Sequence, residues 1–340
     1  MKPVFVSDLA PDQNVTSFFL VAAKESRTGP SGRAYLRMEL SDRTGSIDGR
    51  MWEGIEEASG KFDCDDLVKV QGRVETYRGK TQLVVERIRR AEAGEVELAD
   101  FFPHTTEDVE LLYAKLREFV AAVSNPWLKR LLESVVGDPE IEPKLKRAPA
   151  AKSMHHAYLG GLLEHILSLC ELCRAVAPRY PGVDPDLLLA GAVLHDIGKI
   201  DELSYDRAIN YTTEGWLLGH IEIAYELVGK KVDAIEGFPR ELKTLVLHLI
   251  LSHHGRYEFG SPRLPMFREA VLLHYLDDLD SKMGAVRASL ESEKGDEEWT
   301  AWNAALERRL LRTDAYRRDA TGDTAGDTVP VQLPLEPPKE

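Results

Sequence analysis

Between residues 14 and 90, apolar and polar positions alternate in short runs broken by turn chemistry. The runs NVTSFFLVAAKES, RAYLRMELSD, SIDGRMWEG, DLVKVQGRVETY and KTQLVVERIRR alternate with turn segments such as GPSG, DRTG and YRGK. A period of two marks half-buried strands: Leu36, Met38 and Leu40 face one way, Tyr35, Arg37 and Glu39 the other. The polar stretch EGIEEASGKF, between the third and fourth runs, reads as a short helix.

Five strands with a helix between the third and fourth is the plan of an OB-fold barrel. Beyond residue 105 the period changes. Leu111, Leu112, Leu116, Phe119, Val120 and Val123 recur at helical spacing, and Asn125-Pro126 ends that helix. Residues 139–152 carry three prolines and read as a connecting loop, after which the pattern is helical almost throughout. Asp184-Pro185 supplies an N-cap and a first-turn proline for the helix that delivers His195 and Asp196, and Gly198 can end it. The expected architecture is an all-β OB-fold barrel (1–92), a helical linker (93–152), an all-α helical bundle (153–318) and a disordered, polar and proline-rich tail (319–340).

Composition narrows this only a little. A chain of 340 residues with 43% hydrophobic and 29% charged residues is an ordinary globular protein of about two domains. The start, MKPVFVSDLAPDQ, has no apolar core of a secretory signal, and the longest apolar stretch, Leu187 to Leu194, is far too short to span a bilayer. Three cysteines make no disulfide framework, so the expected setting is the reducing cytoplasm, without membrane contact. Cys170 and Cys173 fit the packing of an amphipathic helix. The net charge of −14 is unevenly spread: residues 1–90 hold 15 Lys/Arg against 14 Asp/Glu, and the remaining 250 hold 28 against 43. The barrel is thus near neutral, and net charge excludes neither RNA nor DNA.

The second half carries a ladder of histidines and aspartates: His165, the pair His195-Asp196 in LLAGAVLHDIGK, His220 in LLGHI, His253-His254 in LSHHG and Asp277 in LLHYLDDLD. Imidazole plus carboxylate is a ligand set for divalent transition metals, which make hydroxide near neutral pH. His155, His156, His248 and His274 read as packing or hydrogen-bonding histidines, with His156, which opens the same helix as His165, the candidate exception. No Walker-type or GxGxxG loop is present in the sequence.

The His-Asp pair and its spaced partners resemble the HD superfamily of metal-dependent phosphohydrolases. That resemblance implies a first ion held by His165, His195, Asp196 and Asp277, and a second held by Asp196, His220 and His253. His254 would be a third ligand to the second ion or would orient the phosphate. Asp277 resembles the terminal ligand of the family, with Asp280 on the same helical face one turn on. Two ions sharing a hydroxide suit in-line attack on phosphorus, with Lys199 neutralising a non-bridging oxygen. A dipole-complementing lysine at a helix C-terminus is the alternative for Lys199.

On an OB-fold, single strands stack on aromatics of the second and third strands, framed by two loops. Tyr35, Arg37, Arg50, Trp52, Tyr77, Arg78 and Lys80 occupy those positions. The order of LSDRTGSIDGRMW, VQGRVETYRGKTQL, HHAYLGGLLEH, AGAVLHDIGK, TTEGWLLGHI, LSHHGRYEFGSP and EAVLLHYLDDLDSKM is similar to that of the bacterial YhaM-type 3'→5' exoribonucleases. The resemblance implies a cytoplasmic hydrolase of phosphodiester bonds. It would release nucleoside 5'-monophosphates from single-stranded RNA, and from DNA as a further candidate, with Mn2+ as the expected metal and Mg2+, Fe2+, Co2+ or Ni2+ as alternatives. Its 3' polarity comes from the resemblance alone. GRYEFGSP departs from the Gly-Tyr-Pro element of the cyclic-dinucleotide HD subgroup, and Gly161 stands where that subgroup places a glutamate. The rival expectations are a small-molecule nucleotide phosphohydrolase and a single-strand or replication-origin binding protein with a structural HD domain.

Overall fold

The computed structural model describes residues 2–29, 32–77, 79–92, 94–102, 104–151, 158–205, 209–292, 297–304 and 306–321. Strands β1 (Asn14–Thr28), β2 (Ala34–Asp42), β3 (Gly45–Met51), β4 (Leu67–Tyr77) and β5 (Lys80–Arg90) close into a barrel, and α1 (Ile55–Ser59) lies between β3 and β4. The order around the barrel is β1-β2-β3-β5-β4, antiparallel except for β3 beside β5. The period of two has the physical outcome it promised. Leu36, Met38 and Leu40 are at most 1% exposed and meet Phe19, Val68, Val70 and Leu83 inside the barrel, while the intervening residues face outward.

The helical part begins with α2 (Val109–Ala121), α3 (Pro126–Val136) and α4 (Ile141–Arg147) and continues with α5 (Gly161–Val176), α6 (Pro185–Leu194) and α7 (Lys199–Glu202). A two-stranded ribbon, β6 (Leu203–Ser204) with β7 (Asn210–Tyr211), follows, then α8 (Thr213–Leu217), α9 (Gly219–Asp233), α10 (Arg240–Ser252), α11 (Arg268–Ser292) and α12 (Thr313–Thr321). Caps explain three of the starts. Asp108, Asn125 and Asp184 each accept two backbone N–H groups at the first turns of α2, α3 and α6.

Several findings go beyond the sequence reading. The ribbon β6–β7 departs from an all-α arrangement; its two-residue strands are too short to leave a periodic signature. Helix α4 spans Ile141–Arg147, inside the stretch read as a loop, because a proline at its third residue falls where no intrahelical N–H partner is lost. Helices α2–α4 are no spacer: Leu116, Leu128, Leu131, Leu132, Val135 and Leu145 are fully buried in the core that also holds α5, α6, α9, α10 and Leu273 of α11. The chain divides into two compact units, residues 1–281 and 282–340, so barrel and helices share the first. In it Phe18 and Leu20 of β1 cluster with Phe101 and Phe102, against which Leu159 and Ile209 pack, and Asn210 Nδ2 donates to Asp65 Oδ2 at 2.9 Å. In the second unit Arg312 donates to the Leu290 carbonyl at 2.6 Å. Helix α12 runs three residues into the expected tail, and 322–340 lie outside the described residues. No helix among the described residues is long and apolar enough to cross a membrane.

Since α3 belongs to this core, Leu131→Ala should cost about 2–5 kcal/mol, the range for a leucine truncated in a close-packed interior. Urea unfolding checks it, and a cost below about 1 kcal/mol would mean that α3 is a detachable appendage.

Candidate metal centre and nucleic-acid face

Five helices bring the ladder to one point. His165 comes from the second turn of α5, His195 and Asp196 from the end of α6, and His220 from the start of α9. His253 and His254 come from the end of α10, and Asp277 from the middle of α11. His165, His195, Asp196 and His253 are at most 2% exposed. The side chains form two groups. His165, His195 and Asp277 have their ligand atoms within 4.8 Å of one another, and so do His220, His253 and His254.

Asp196 lies between the groups. Its Oδ2 is 3.7 Å from His165 Nε2 and 3.4 Å from His195 Nε2. Its Oδ1 is 3.4 Å from His220 Nε2 and 3.5 Å from His253 Nε2. His165 Nε2 is also 3.2 Å from Asp277 Oδ1. Ligands bound at ~2.0–2.2 Å from one small cation lie ~3–4 Å apart, so the spacing within each group suits one ion.

The imidazoles are held ready by their other nitrogens. Nδ1 of His195, His253 and His254 faces the carbonyls of Ala192, Ile250 and Phe259 at 3.0, 2.7 and 2.7 Å. A carbonyl only accepts, so each Nδ1 carries the proton and each Nε2 turns a lone pair inward. Nδ1 of His165 faces Asp280 Oδ2 at 2.8 Å, and Nδ1 of His220 faces Glu202 Oε1 at 3.0 Å. His165 Nε2 stands 3.2 Å from His195 Nε2, and His220 Nε2 stands 3.3 Å from His254 Nε2. Wherever both rings of such a pair are neutral and carry the proton on Nδ1, the facing lone pairs repel unless a cation lies between them. Asp196 Oδ1 and His253 Nε2 are buried polar atoms with no hydrogen-bond partner. A pair of divalent cations fits this donor set.

The electrostatics point the same way. Burial alone would raise the Asp196 carboxyl, but the Lys199 ammonium beside it, helped by His195 and His253, holds it well below its ordinary value. Asp277 is lowered against the same burial, chiefly by His165. Burial works to lower the His165 imidazole, yet Asp277 and Asp280 outweigh it and raise the ring to about 9. Burial, with His253 adjacent, pushes His254 down to about 4, which keeps its lone pair available. The site draws positive charge to His165 and presents neutral imidazole at His253 and His254.

Lys199 is the first residue of the four-residue α7, and its Nζ is 2.5 Å from Asp196 Oδ2. His248 accepts from the Met266 N–H at 3.2 Å, and His274 Nδ1 donates to the His253 carbonyl at 2.9 Å, both outside the ligand groups. His155 and His156 lie outside the described residues.

On the barrel, Tyr35 and Trp52 stack at 4.5 Å between ring centroids and 24° between planes. The Arg50 guanidinium lies 5.9 Å from the Tyr35 ring and 5.6 Å from the Tyr77 ring. Arg37 and Arg50 face each other across β2 and β3 and both bond Asp48, at 2.7 and 3.0 Å. Tyr77, 49% exposed, does not close the barrel; it pairs with Lys80 across the β4–β5 turn. Arg78 lies outside the described residues.

Comparison with known proteins adds to this geometry. The HD domain family matches residues 162–282, which contain every ligand candidate, and the OB-fold nucleic acid binding domain family matches residues 21–91. A 3'-5' exoribonuclease YhaM from Geobacillus sp. (strain WCH70) is 36% identical over 298 residues, 87% of this chain and 91% of the relative. The chain belongs to the YhaM family. Among solved structures, the second OB-fold domain of replication protein A from Methanococcus maripaludis is 24% identical, covering 28% of this chain and 98% of that domain at a TM-score of 0.22. Single-stranded DNA binding protein from Thermus aquaticus is 21% identical, covering 25% of this chain and 42% of its own, also at 0.22.

In this YhaM-family chain, the sequence reading missed Glu202 and the set of backbone acceptors. Burial pushes the Glu202 carboxyl up, but the ring and backbone N–H groups of His220 outweigh it and hold it below its ordinary value. Nothing in the spacing of Glu202 and His220 announces that contact, which depends on how α7 and α9 pack. Asp280 is held by Ser168 Oγ at 2.5 Å while it orients His165. Two glycines make the geometry possible. A Cβ on Gly198 would lie 2.1 Å from the His220 carbonyl oxygen, and Gly255, at φ +72°, would drive one to 2.2 Å from the His274 ring.

Gly198→Ala should therefore push the His-Asp turn away from α9. We expect fewer than half the metal ions per chain of the unaltered protein, together with a lower melting temperature. Full metal content by elemental analysis would show that the turn tolerates the methyl group.

Proposed function

We propose that this chain is a metal-dependent 3'→5' exonuclease that hydrolyses single-stranded RNA to nucleoside 5'-monophosphates. The observation that carries the reading is the Asp196 carboxylate, with one oxygen directed at each histidine group. His165, His195, Asp277 and Asp196 Oδ2 would hold one divalent cation, and His220, His253, His254 and Asp196 Oδ1 the second. When bound, the pair would supply Lewis acidity and a water activated near neutral pH. The mixed imidazole and carboxylate set supports Mn2+ first, with Fe2+, Co2+ or Ni2+ next and Mg2+, which favours oxygen ligands, last.

The chain's own residues do the rest. Glu202, Asp280 and the three carbonyls fix the imidazoles, so no ring has to reorient when a phosphate arrives. Lys199, held against Asp196, adds a fixed positive charge beside the reacting phosphorus. Residues 1–92 would hold the strand by stacking on Tyr35, Trp52 and Tyr77, with Arg37, Arg50, Arg78 and Lys80 near its phosphates. The Geobacillus relative, a 3'-5' exoribonuclease that aligns over 87% of this chain, supports the RNA substrate and the 3' polarity.

Labelled single-stranded RNA incubated with Mn2+ should give a ladder shortening from the 3' end, with nucleoside 5'-monophosphate as product. Shortening from the 5' end, or selective cleavage of DNA, would overturn this reading. Asp196→Asn should abolish hydrolysis and remove most bound metal; ordinary turnover in that variant would sink the dinuclear assignment. Removing the rings of Tyr35 and Trp52 together should weaken long-strand binding by at least about tenfold, since each stacked base contributes about 1–3 kcal/mol. Strand degradation at low concentration should fall further than hydrolysis of a small chromogenic diester. An equal fall in both would make the two rings structural.

A further inference from the structure

The turn after the paired histidines presents aromatic rings that belong to none of the hydrophobic clusters. Tyr257 and Phe259 are 58% and 55% exposed, yet the backbone beneath them is pinned on several sides. The Phe259 carbonyl accepts from His254 Nδ1 at 2.7 Å. The Ser261 N–H donates to the Arg256 carbonyl at 3.1 Å, and the Arg263 N–H to the Leu251 carbonyl at 3.2 Å. Ser261, only 3% exposed, places its Oγ 2.7 Å from the Arg263 carbonyl and 3.2 Å from that of Leu251. The guanidinium of Arg256 lies 5.6 Å from the centre of the Phe259 ring.

An aromatic ring on a loose loop folds down onto its neighbours. On a turn pinned this firmly it stays in water, where its uncovered apolar area is a standing cost that a flat ligand can relieve. The surrounding chemistry says which flat ligand. Two rings offer π-faces, Arg256 offers a charge for a phosphate, and His254, whose proton the same turn receives, belongs to the second ligand group. A planar ring joined to a phosphodiester is a nucleotide.

We propose that Tyr257 and Phe259 form a base-stacking subsite for the nucleotide at the strand end, with Arg256 on its phosphate. It rests on the exonuclease reading, and it is separate from the Tyr35–Trp52 stack because it sits on the helical element that carries His254. The barrel would hold the body of the strand, and this turn would grip the end being cut.

The test compares two oligonucleotides cleaved by the full chain with Mn2+, one ordinary and one whose terminal nucleotide is abasic. The unaltered chain should favour the ordinary end by about tenfold in kcat/KM. In Tyr257→Ala/Phe259→Ala, which keeps the Phe259 carbonyl, that ratio should fall to near one. In Tyr257→Phe/Phe259→Tyr, which keeps both rings, it should persist. Tyr180→Ala removes an equally exposed ring beyond the far end of α5 from His165, and should leave the ratio as it was. A double-alanine variant that loses activity on both ends equally, or an unaltered chain indifferent to the missing base, would overturn the subsite. Failure of the unaltered chain to cut either strand would instead overturn the exonuclease reading, and the subsite with it.

Discussion

A carboxylate buried among five imidazoles is the constraint around which the helical part is arranged. Asp196 is 2% exposed and ionised, and an isolated charge at that depth would be strongly disfavoured. Lys199 offsets part of that cost from one side, and the histidines surround the rest. For both oxygens to be used, the turn carrying Asp196 must sit at the meeting point of α5, α9, α10 and α11. The close approach of Gly198 to α9 is how the backbone reaches that point. The large core that α2 to α6 share with α9, α10 and α11 keeps these helices together around the centre.

What the sequence disclosed and what it withheld follow a physical line. The barrel was legible because each strand has one wet and one dry face, so Leu36, Met38 and Leu40 announce themselves without knowledge of their neighbours. The ladder was legible because imidazole and carboxylate at those spacings have few other reasons to occur together, and every one of its members converges. Glu202 was not legible: an acidic residue near the end of a short helix is ordinary, and only the packing of α7 on α9 makes it the partner of His220. The carbonyls of Ala192, Ile250 and Phe259 carry no residue signature at all. Helix α2 showed an apolar stripe that demands a partner, but amphipathicity does not say which surface the partner is, and the prolines of 139–152 hid α4 altogether.

Orientation in this centre is set from outside the ligand ring. Three imidazoles are fixed by main-chain carbonyls that belong to the same helix ends or the adjoining turn, and two by carboxylates from other segments. The main-chain anchors are indifferent to side-chain substitution. The carboxylate anchors are not, so tolerance to mutation around the centre should be uneven, with Glu202 and Asp280 its most sensitive supports.

The hydrogen bond between Asn210 and Asp65, with the Phe18, Leu20, Phe101 and Phe102 cluster beside it, joins the barrel to the ribbon that directly follows Glu202. The barrel face that carries Tyr35 and Trp52 and the centre around Asp196 are fastened to one another in this way. On the exonuclease reading, the molecule would act as a measuring gauge. Strands long enough to span the interval would be held at two points and lose their end units readily, while shorter remnants would touch one point at a time and slip away. A family of short leftover fragments, their length set by that interval, would be the chemical imprint of the tether.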